Sequence, residues 1–162
     1  MPPLRRIAIV EAAPHAEDLY PEFLLVQNVL ITVGMDAVIC DPITLGYRAT
    51  GLFFGDLQID LSFNRLFHFA LAEPIHSAMR RACQNGAVVL TPNPHIHALL
   101  AHKRNLTLLS DPVALGALAV SAVLIQKLAE IPQTRKVTPD NANLLCQTLK
   151  QLFFKPGTGH GS

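Results

Sequence analysis

The residues best suited to chemistry stand at the end of the sequence, where alternating glycines follow a lysine. A short predicted strand over 152–155 ends at Lys155, and Gly157, Gly159 and Gly161 come next. Glycine lets backbone N–H groups approach an anion closely, and a lysine adds a positive charge for a phosphate. The pattern therefore predicts a phosphate-binding loop. The alternative interpretation is a flexible tail, since short motifs often arise by chance.

A second pair of polar residues, Asn64 and Arg65, follows a predicted strand over 59–63. Ligands of open α/β sheets bind at the carboxyl ends of the strands, and a guanidinium can hold a carboxylate through two parallel hydrogen bonds. These two residues are therefore predicted to bind a substrate. In the alternative interpretation, Arg65 forms a structural ion pair with one of three acidic residues, Glu11, Asp41 or Glu73.

Three histidines in one short segment raise the question of a zinc site. His95, His97 and His102 lie close together in the sequence, but side chains at i and i+2 of a helix point to different faces. Zinc also needs a third ligand and an open position, and no suitable spacing supplies them. We therefore predict no metal-binding residues and assign these histidines to a polar helix face.

The elements that must position these residues follow an α/β pattern over residues 5–95. Apolar runs with the length of buried strands alternate with segments of helical spacing. The predicted elements are strands over 5–11, 36–41, 59–63 and 87–90, helices over 17–33 and 75–85, and a hairpin over 47–58. A strand, a helix and a strand in close succession form a βαβ unit with parallel strands. We therefore expect an open, mostly parallel, Rossmann-like sheet with a small hairpin.

The later part of the chain changes character. The predicted elements there are helices over 95–110, 112–130 and 139–150 and short strands over 134–138 and 152–155. The helix over 112–130 is mostly apolar, so we expect it to be buried or covered. A second copy of the chain, as a homodimer, or a missing C-terminal half would provide the cover.

Composition excludes several classes of protein. Half of the residues are hydrophobic, 15% are charged and the net charge is +1, which excludes a disordered chain and leaves no cationic field for nucleic acid. The uncharged run over 113–125 is shorter than the about 20 residues that a membrane-spanning helix needs, so no membrane partner is expected. Three widely spaced cysteines and the lack of an apolar leader predict a cytoplasmic location.

Four stretches of the sequence, 59–66, 88–92, 97–111 and 153–156, together resemble the ATP-grasp ligases. The likeness is greatest to the amine-ligase branch that includes glutathionylspermidine synthase and to uncharacterised bacterial ATP-grasp proteins. It spans nearly the whole chain.

The resemblance implies a nucleotide site. In that family one lysine at the hinge after the first α/β domain and a second lysine before a glycine-rich loop both contact nucleotide phosphates. Lys103 and Lys155 match these two positions. The three glycines, Gly157, Gly159 and Gly161, would form the lid over the phosphates, and ATP and Mg²⁺ would be the cofactors.

The resemblance also implies a reaction. ATP would phosphorylate a small carboxylate substrate, an amine would displace phosphate from the acyl phosphate, and Arg65 would orient the acceptor. Residues 1–111 would form the pre-ATP-grasp domain, and residues 112–162 a helical connection with the start of an α+β ATP-grasp subdomain. The family's magnesium ligands lie downstream of its glycine loop, and no acidic residue follows Lys155. We therefore expect an N-terminal fragment that is inactive alone. The alternative is a non-catalytic α/β binding or scaffolding module that pairs with another chain.

Overall fold

A computed structural model describes residues 4–157 of the chain. The chain divides into two compact units, Met1–Ala98 and Leu99–Ser162. The first is an α/β unit with an open four-stranded parallel sheet and a small three-stranded antiparallel sheet, which confirms the predicted fold class. The predicted division into ligase domains at 111/112 is a family assignment, and it stays a prediction.

Seven strands in residues 4–157 form the two sheets. They are β1 (Arg6–Val10), β2 (Asp36–Cys40), β3 (Leu45–Arg48), β4 (Gly51–Phe54), β5 (Leu57–Ile59), β6 (Leu61–Asn64) and β7 (Val89–Thr91). The parallel sheet has the order β2-β1-β6-β7, and the antiparallel sheet has the order β3-β4-β5. The strands β1, β2 and β7 are short and mostly apolar, as strands covered on both faces are, whereas β6 also contains Ser62 and Asn64.

Two faces of the parallel sheet can be told apart by register. Val10 pairs with Asn64 and Ile9 pairs with Phe63, and successive side chains along a strand point to opposite faces. Val10 belongs to the main apolar cluster, which also holds Met79 and contacts the antiparallel sheet through residues such as Leu52. Ile9 and Phe63 lie on the other face.

Three of the described helices belong wholly or mainly to the first unit: α1 (Tyr20–Thr32), α2 (Ser77–Gln84) and α3 (Pro94–Leu100). Phe23 is the buried anchor of α1, and Gly34 ends the segment with a φ of 84° that glycine adopts without strain. A 3-10 turn over Pro74–His76 leads into α2. The predicted helices over 17–33 and 75–85 are thus confirmed with shorter bounds.

The predicted hairpin is confirmed as the larger β3-β4-β5 sheet. The predicted strand over 59–63 is divided, because β5 ends at Ile59 and β6 begins at Leu61. Asp60 lies between them, and its carboxylate accepts hydrogen bonds of 2.9 Å from the backbone N–H groups of Arg5 and Arg6. This residue therefore joins the two sheets to the start of β1.

The second unit contains four helices in its described part: α4 (Asn105–Leu109), α5 (Pro112–Ala117), α6 (Ala122–Leu128) and α7 (Pro139–Cys146). The single helix predicted over 95–110 is wrong, because α3 and α4 are separate. The single helix predicted over 112–130 is also wrong. Ala119 has a φ of 59°, which a continuous right-handed helix does not allow, and the Ser121 hydroxyl caps α6.

The two strands predicted over 134–138 and 152–155 do not form. Side chains take the hydrogen bonds that a ladder would need: the backbone N–H of Thr134 donates to Ser110 Oγ over 3.0 Å, and the carbonyl of Lys136 accepts from Asn141 Nδ2 over 2.9 Å. A strand needs a paired neighbour, and the described part of this unit holds none.

Apolar side chains remain exposed in both units. Val113, Leu118 and Val123 are exposed along α5 and α6, and the expectation that another surface covers this segment stays a prediction. No helix in residues 4–157 has both the length and the apolar character that crossing a bilayer requires.

Candidate functional site

The parallel sheet reverses its strand order between β1 and β6. The chain leaves β1 toward β2 on one side, and β6 and β7 are added on the other side. Open α/β sheets bind ligands at such a switch point, beyond the carboxyl ends of the strands. Glu11 follows β1 there, Asn64 ends β6, and the backbone N–H of Arg65 donates to the carbonyl of Val10 over 2.9 Å. These residues define the sheet-edge site, to which Asp41 after β2 also belongs.

Arg65 lies on the α1 face of the sheet edge. Its guanidinium stands 5.7 Å from the ring centres of both Phe23 and Phe63, and its Nη2 lies 3.2 Å from Glu22 Oε1 on α1. Its side chain is 28% exposed, and its Nε is buried with no hydrogen-bond partner among the described residues. An ion pair does form, but with Glu22 rather than with any of the three acids considered from the sequence.

Asn64 lies at the same edge on the opposite face. It is 1% exposed, its Oδ1 accepts from the backbone N–H of Leu66 over 3.1 Å, and its Nδ2 has no partner among residues 4–157. Because Asn64 and Arg65 are successive residues, the sheet separates their side chains. The structure therefore brings the two predicted substrate ligands to one edge without forming a single clamp from them.

Glu11 is a buried carboxylate at the centre of this edge. It is 5% exposed, and its Oε1 accepts from the backbone N–H of Ala12 over 2.9 Å. Burial raises the pKa of this carboxyl; the negative charges of Glu17 and Asp41 raise it further, while the Ala12 hydrogen bond and the positive charge of Arg65 lower it. A buried charge of this kind is costly unless a partner compensates for it.

Two further buried polar side chains lie in the first unit: Ser62, two residues before Asn64 in β6 and so on the same face of the sheet, and His76, in the turn before α2. Ser62 Oγ and His76 Nδ1 have no partner among the described residues, and both residues are buried. Burial lowers the pKa of His76 below its ordinary value. The sequence alone did not reveal these two residues, because a histidine in a turn and a serine in a strand leave no recognisable spacing.

The predicted nucleotide residues belong to the second unit. The backbone N–H of Lys103 donates to the carbonyl of Gly157 over 3.2 Å, and His102 Nδ1 accepts from the backbone N–H of Arg104 over 3.0 Å. A Cβ at Gly157 would lie 3.2 Å from His102 Cε1, so the two segments approach closely. Lys103 is half-buried and Lys155 is exposed.

The structure thus brings Lys103 and Gly157 together. The two remaining glycines of the predicted loop, Gly159 and Gly161, lie outside the described residues. Lys103 stands in a turn before α4 rather than on a helix.

His95, His97 and His102 are the histidines for which the sequence predicts no zinc site. The ring of His97 stacks on the ring of Phe69, with their centres 4.0 Å apart. Within the described part of the chain, no three histidine, cysteine or acidic side chains are grouped so that they could hold a metal ion.

No protein-family model matches the chain, and no curated protein matches it either. The candidate sites are therefore described by their own chemistry: the sheet-edge site, and the segments that the hydrogen bond between Lys103 and Gly157 joins.

Proposed function

We propose that this chain is the N-terminal part of an ATP-dependent carboxylate–amine ligase of the ATP-grasp type, and that it binds substrates of the ligation. The observation that carries the proposal is Arg65 at the switch point of the parallel sheet. A guanidinium is the side chain best matched to a carboxylate, because its planar fork donates two parallel hydrogen bonds. The switch point is also where open α/β sheets bind their ligands.

The surroundings of Arg65 suit this task. A guanidinium has five N–H donors, and the single contact between Nη2 and Glu22 Oε1 does not occupy all of them. The rings of Phe23 and Phe63 flank the guanidinium, and such cation–π contacts hold an arginine in place without using its donors. The remaining donors on Nη1 and Nη2 can therefore bind a carboxylate at small entropic cost, whereas the Nε–H is buried.

The nucleotide would bind to the second unit. Lys103, Lys155 and Gly157 would hold its phosphates, and the absence of a side chain at Gly157 allows its backbone to approach His102 closely. Mg²⁺, when bound to the nucleotide, neutralises part of the charge that develops on the phosphates. The described residues offer no set of three ligands for the ion itself.

The chemistry has two steps. A carboxylate oxygen attacks the γ-phosphorus of ATP, so that ADP leaves and an acyl phosphate forms. The amine nitrogen then attacks the acyl carbon, the bond to phosphate breaks, the amine loses a proton and an amide remains. The chain's own contribution is positioning and charge neutralisation. The domain division at 111/112 and a cytoplasmic location are parts of the same proposal.

Calorimetric titration of the 162-residue chain with magnesium-ATP tests the nucleotide site. Lys155→Met keeps most of the apolar stem and removes the ammonium, and loss of one charge-assisted contact to phosphate costs about 1.5–3 kcal/mol, or ten- to a hundredfold in affinity. Lys150→Met is the matched control, because Lys150 is also exposed and lies outside the predicted loop. Equal affinities for the two variants would remove Lys155 from the site.

A second candidate function is a non-catalytic module that pairs with another chain. It is favoured by the apolar stripe on α1, where Leu25, Val29 and Val33 recur at helical spacing and all remain exposed. Titration of the wild-type chain with magnesium-ATP and with acetate, together with its oligomeric state by analytical ultracentrifugation, separates the two functions. A wild-type chain that binds neither magnesium-ATP nor acetate, while associating through this stripe, would support the module.

A further inference from the structure

The buried carboxylate of Glu11 has no counter-ion in the described part of the chain. No nitrogen of a lysine, arginine or histidine in residues 4–157 lies within ion-pair distance of it, since the ion pairs there join other residues. The only hydrogen bond described for it comes from the adjacent backbone N–H of Ala12, to Oε1. A buried carboxylate with one neutral donor has unmet capacity for hydrogen bonds and for positive charge.

Two other charged groups at the edge, Arg65 and Asp41, already have partners within the fold. Arg65 contacts Glu22 at 3.2 Å. Both carboxylate oxygens of Asp41 accept backbone hydrogen bonds, from Ala13 over 2.8 Å and from Ile43 over 2.9 Å. In contrast to Asp41, Glu11 keeps one carboxylate oxygen, Oε2, without a hydrogen bond among the described residues.

The sign of the surrounding charge favours a cation. Glu17 and Asp41 are close enough to act on Glu11 electrostatically, and Arg65 is the positive group that does so. The negative charges of Glu17 and Asp41 thus add to that of Glu11, and the guanidinium that offsets them also contacts Glu22. A small cation with hydrogen-bond donors would offset this excess and the cost of burying Glu11.

We propose that Glu11 binds the primary ammonium group of a ligand at the switch point of the parallel sheet. This inference rests on the proposed function in one respect: it assigns the amine substrate to Glu11, while Arg65 receives the carboxylate. The class of ligand is a primary amine, because an ammonium with three N–H donors can satisfy both carboxylate oxygens. A quaternary ammonium has the charge without the donors.

The backbone amide of Ala12 provides a direct readout, because it donates to Glu11 Oε1. The experiment titrates the ¹⁵N-labelled 162-residue chain with propylammonium chloride and, separately, with tetramethylammonium chloride at equal ionic strength. We expect a saturable shift of the Ala12 amide resonance with propylammonium, in the millimolar range, and at least a tenfold weaker effect with tetramethylammonium. Propylammonium should also lower the pKa of Glu11 as read at Ala12.

Two variants separate a specific contact from general electrostatics. Glu11→Gln removes the charge and keeps the shape, so it should weaken propylammonium binding at least tenfold. Glu17→Gln removes a charge from the same neighbourhood and should change the affinity less than threefold. Equal losses in the two variants, or equal binding of the two ammonium ions by the wild-type chain, would overturn the inference.

The inference can be tested even if the Glu11→Gln variant does not fold, and it can be tested separately from the proposed ligation. If that variant does not fold, the effect of propylammonium on the pKa of Glu11 in the wild-type chain decides the question. Acetate and magnesium-ATP are titrated into the same samples. If the wild-type chain binds acetate and magnesium-ATP but not propylammonium, the role of Glu11 is refuted. If it binds propylammonium but neither acetate nor magnesium-ATP, the ligase proposal is refuted and the ammonium site stands.

Discussion

The Asp41 carboxylate accepts a hydrogen bond from the backbone N–H of Ala13 over 2.8 Å. It thereby ties the loop that follows β1 to the loop that follows β2. Its other oxygen accepts from the backbone N–H of Ile43 and caps the 3-10 turn over Pro42–Thr44. Asp41 therefore holds the loop that begins at Glu11, and its own oxygens are already engaged within the fold.

We expect Asp41→Asn to destabilise the first unit by about 1–2 kcal/mol, because an amide nitrogen cannot accept one of the two backbone hydrogen bonds. Asp18→Asn is the control, since Asp18 is exposed in the same loop. Urea unfolding followed by circular dichroism measures both variants. Equal midpoints for the wild type and Asp41→Asn would show that the two backbone groups are satisfied without this carboxylate.

Gly51, at the start of β4, should be sensitive to substitution. Its φ is 151°, and an added Cβ would lie 2.9 Å from Gln58 Nε2, so alanine there meets both backbone strain and a close contact. We expect Gly51→Ala to cost about 1–3 kcal/mol. Gly46→Ala in β3 is the matched control, because a Cβ added there would have no other atom within 4 Å, and its Tm should stay equal or rise. Similar Tm losses in both variants would contradict this account.

Much of the first unit was predictable from local patterns. The β1–α1–β2 segment combines a short apolar run, helical spacing and a glycine stop, and each signal agrees with the others. The division between β5 and β6 was not predictable, because Ile59 and Leu61 share one apolar run and only the tertiary role of Asp60 separates them. The break at Ala119 was missed because alanine favours helix. Its positive φ belongs to the cap that ends α5, in which the backbone N–H groups of Ala119 and Val120 donate to the carbonyls of Gly116 and Leu115.

The candidate site was predictable in position more than in detail. Polar residues after strands indicate the carboxyl edge of a sheet, so Arg65 and Asn64 could be assigned to it. Their placement on opposite faces depends on where β6 begins. The pairing of Arg65 with Glu22 joins distant segments of the chain, and no sequence spacing encodes such a contact.

The three cysteines should differ in reactivity. Burial raises the pKa of Cys40 to about 12 and also raises the pKa of Cys83, whereas Cys146 is exposed. Because the thiolate is the reactive form, iodoacetamide at mildly alkaline pH should modify Cys146 first and Cys40 only after unfolding. Peptide mass spectrometry over a time course measures the order. Rapid modification of Cys40 in the folded chain would contradict its burial.

His76 should make the fold sensitive to mild acid. Burial lowers its pKa in the folded state; Arg80 and His68 act in the same direction, while Glu73 and Asp41 oppose it. As the pH falls, the unfolded chain therefore binds a proton at His76 at a higher pH than the folded chain does. The free energy of unfolding decreases as the pH drops below about 6.5, until the pH reaches the pKa of His76 in the folded state. One proton allows a slope of at most about 1.4 kcal/mol per pH unit.

The measurement is the free energy of unfolding against pH for the wild type and His76→Gln, with His95→Gln as the control, because His95 is exposed. Glu11, whose folded pKa is raised, acts in the opposite sense, since its protonation favours the folded state as the pH falls through that pKa. The difference between wild type and His76→Gln cancels the Glu11 contribution. A pH-independent difference would exclude His76 as the acid-sensitive group.

Arg65 provides the sharpest test of the sheet-edge site. Arg65→Lys keeps a positive charge but loses the planar fork, so acetate binding to the 162-residue chain should weaken about tenfold, and Arg65→Met should weaken it further. Arg48→Lys is the matched control, because Arg48 also forms an ion pair and a cation–π contact, with Asp56 and Phe53, away from the switch point. Glu22→Gln should leave acetate bound at least as tightly, since it frees Nη2 of Arg65 from its carboxylate partner. Acetate titration followed by NMR, with a Tm for each variant, separates lost binding from lost folding. Unchanged acetate affinity in a folded Arg65→Met chain would leave the ion pair with Glu22 as the whole role of this arginine.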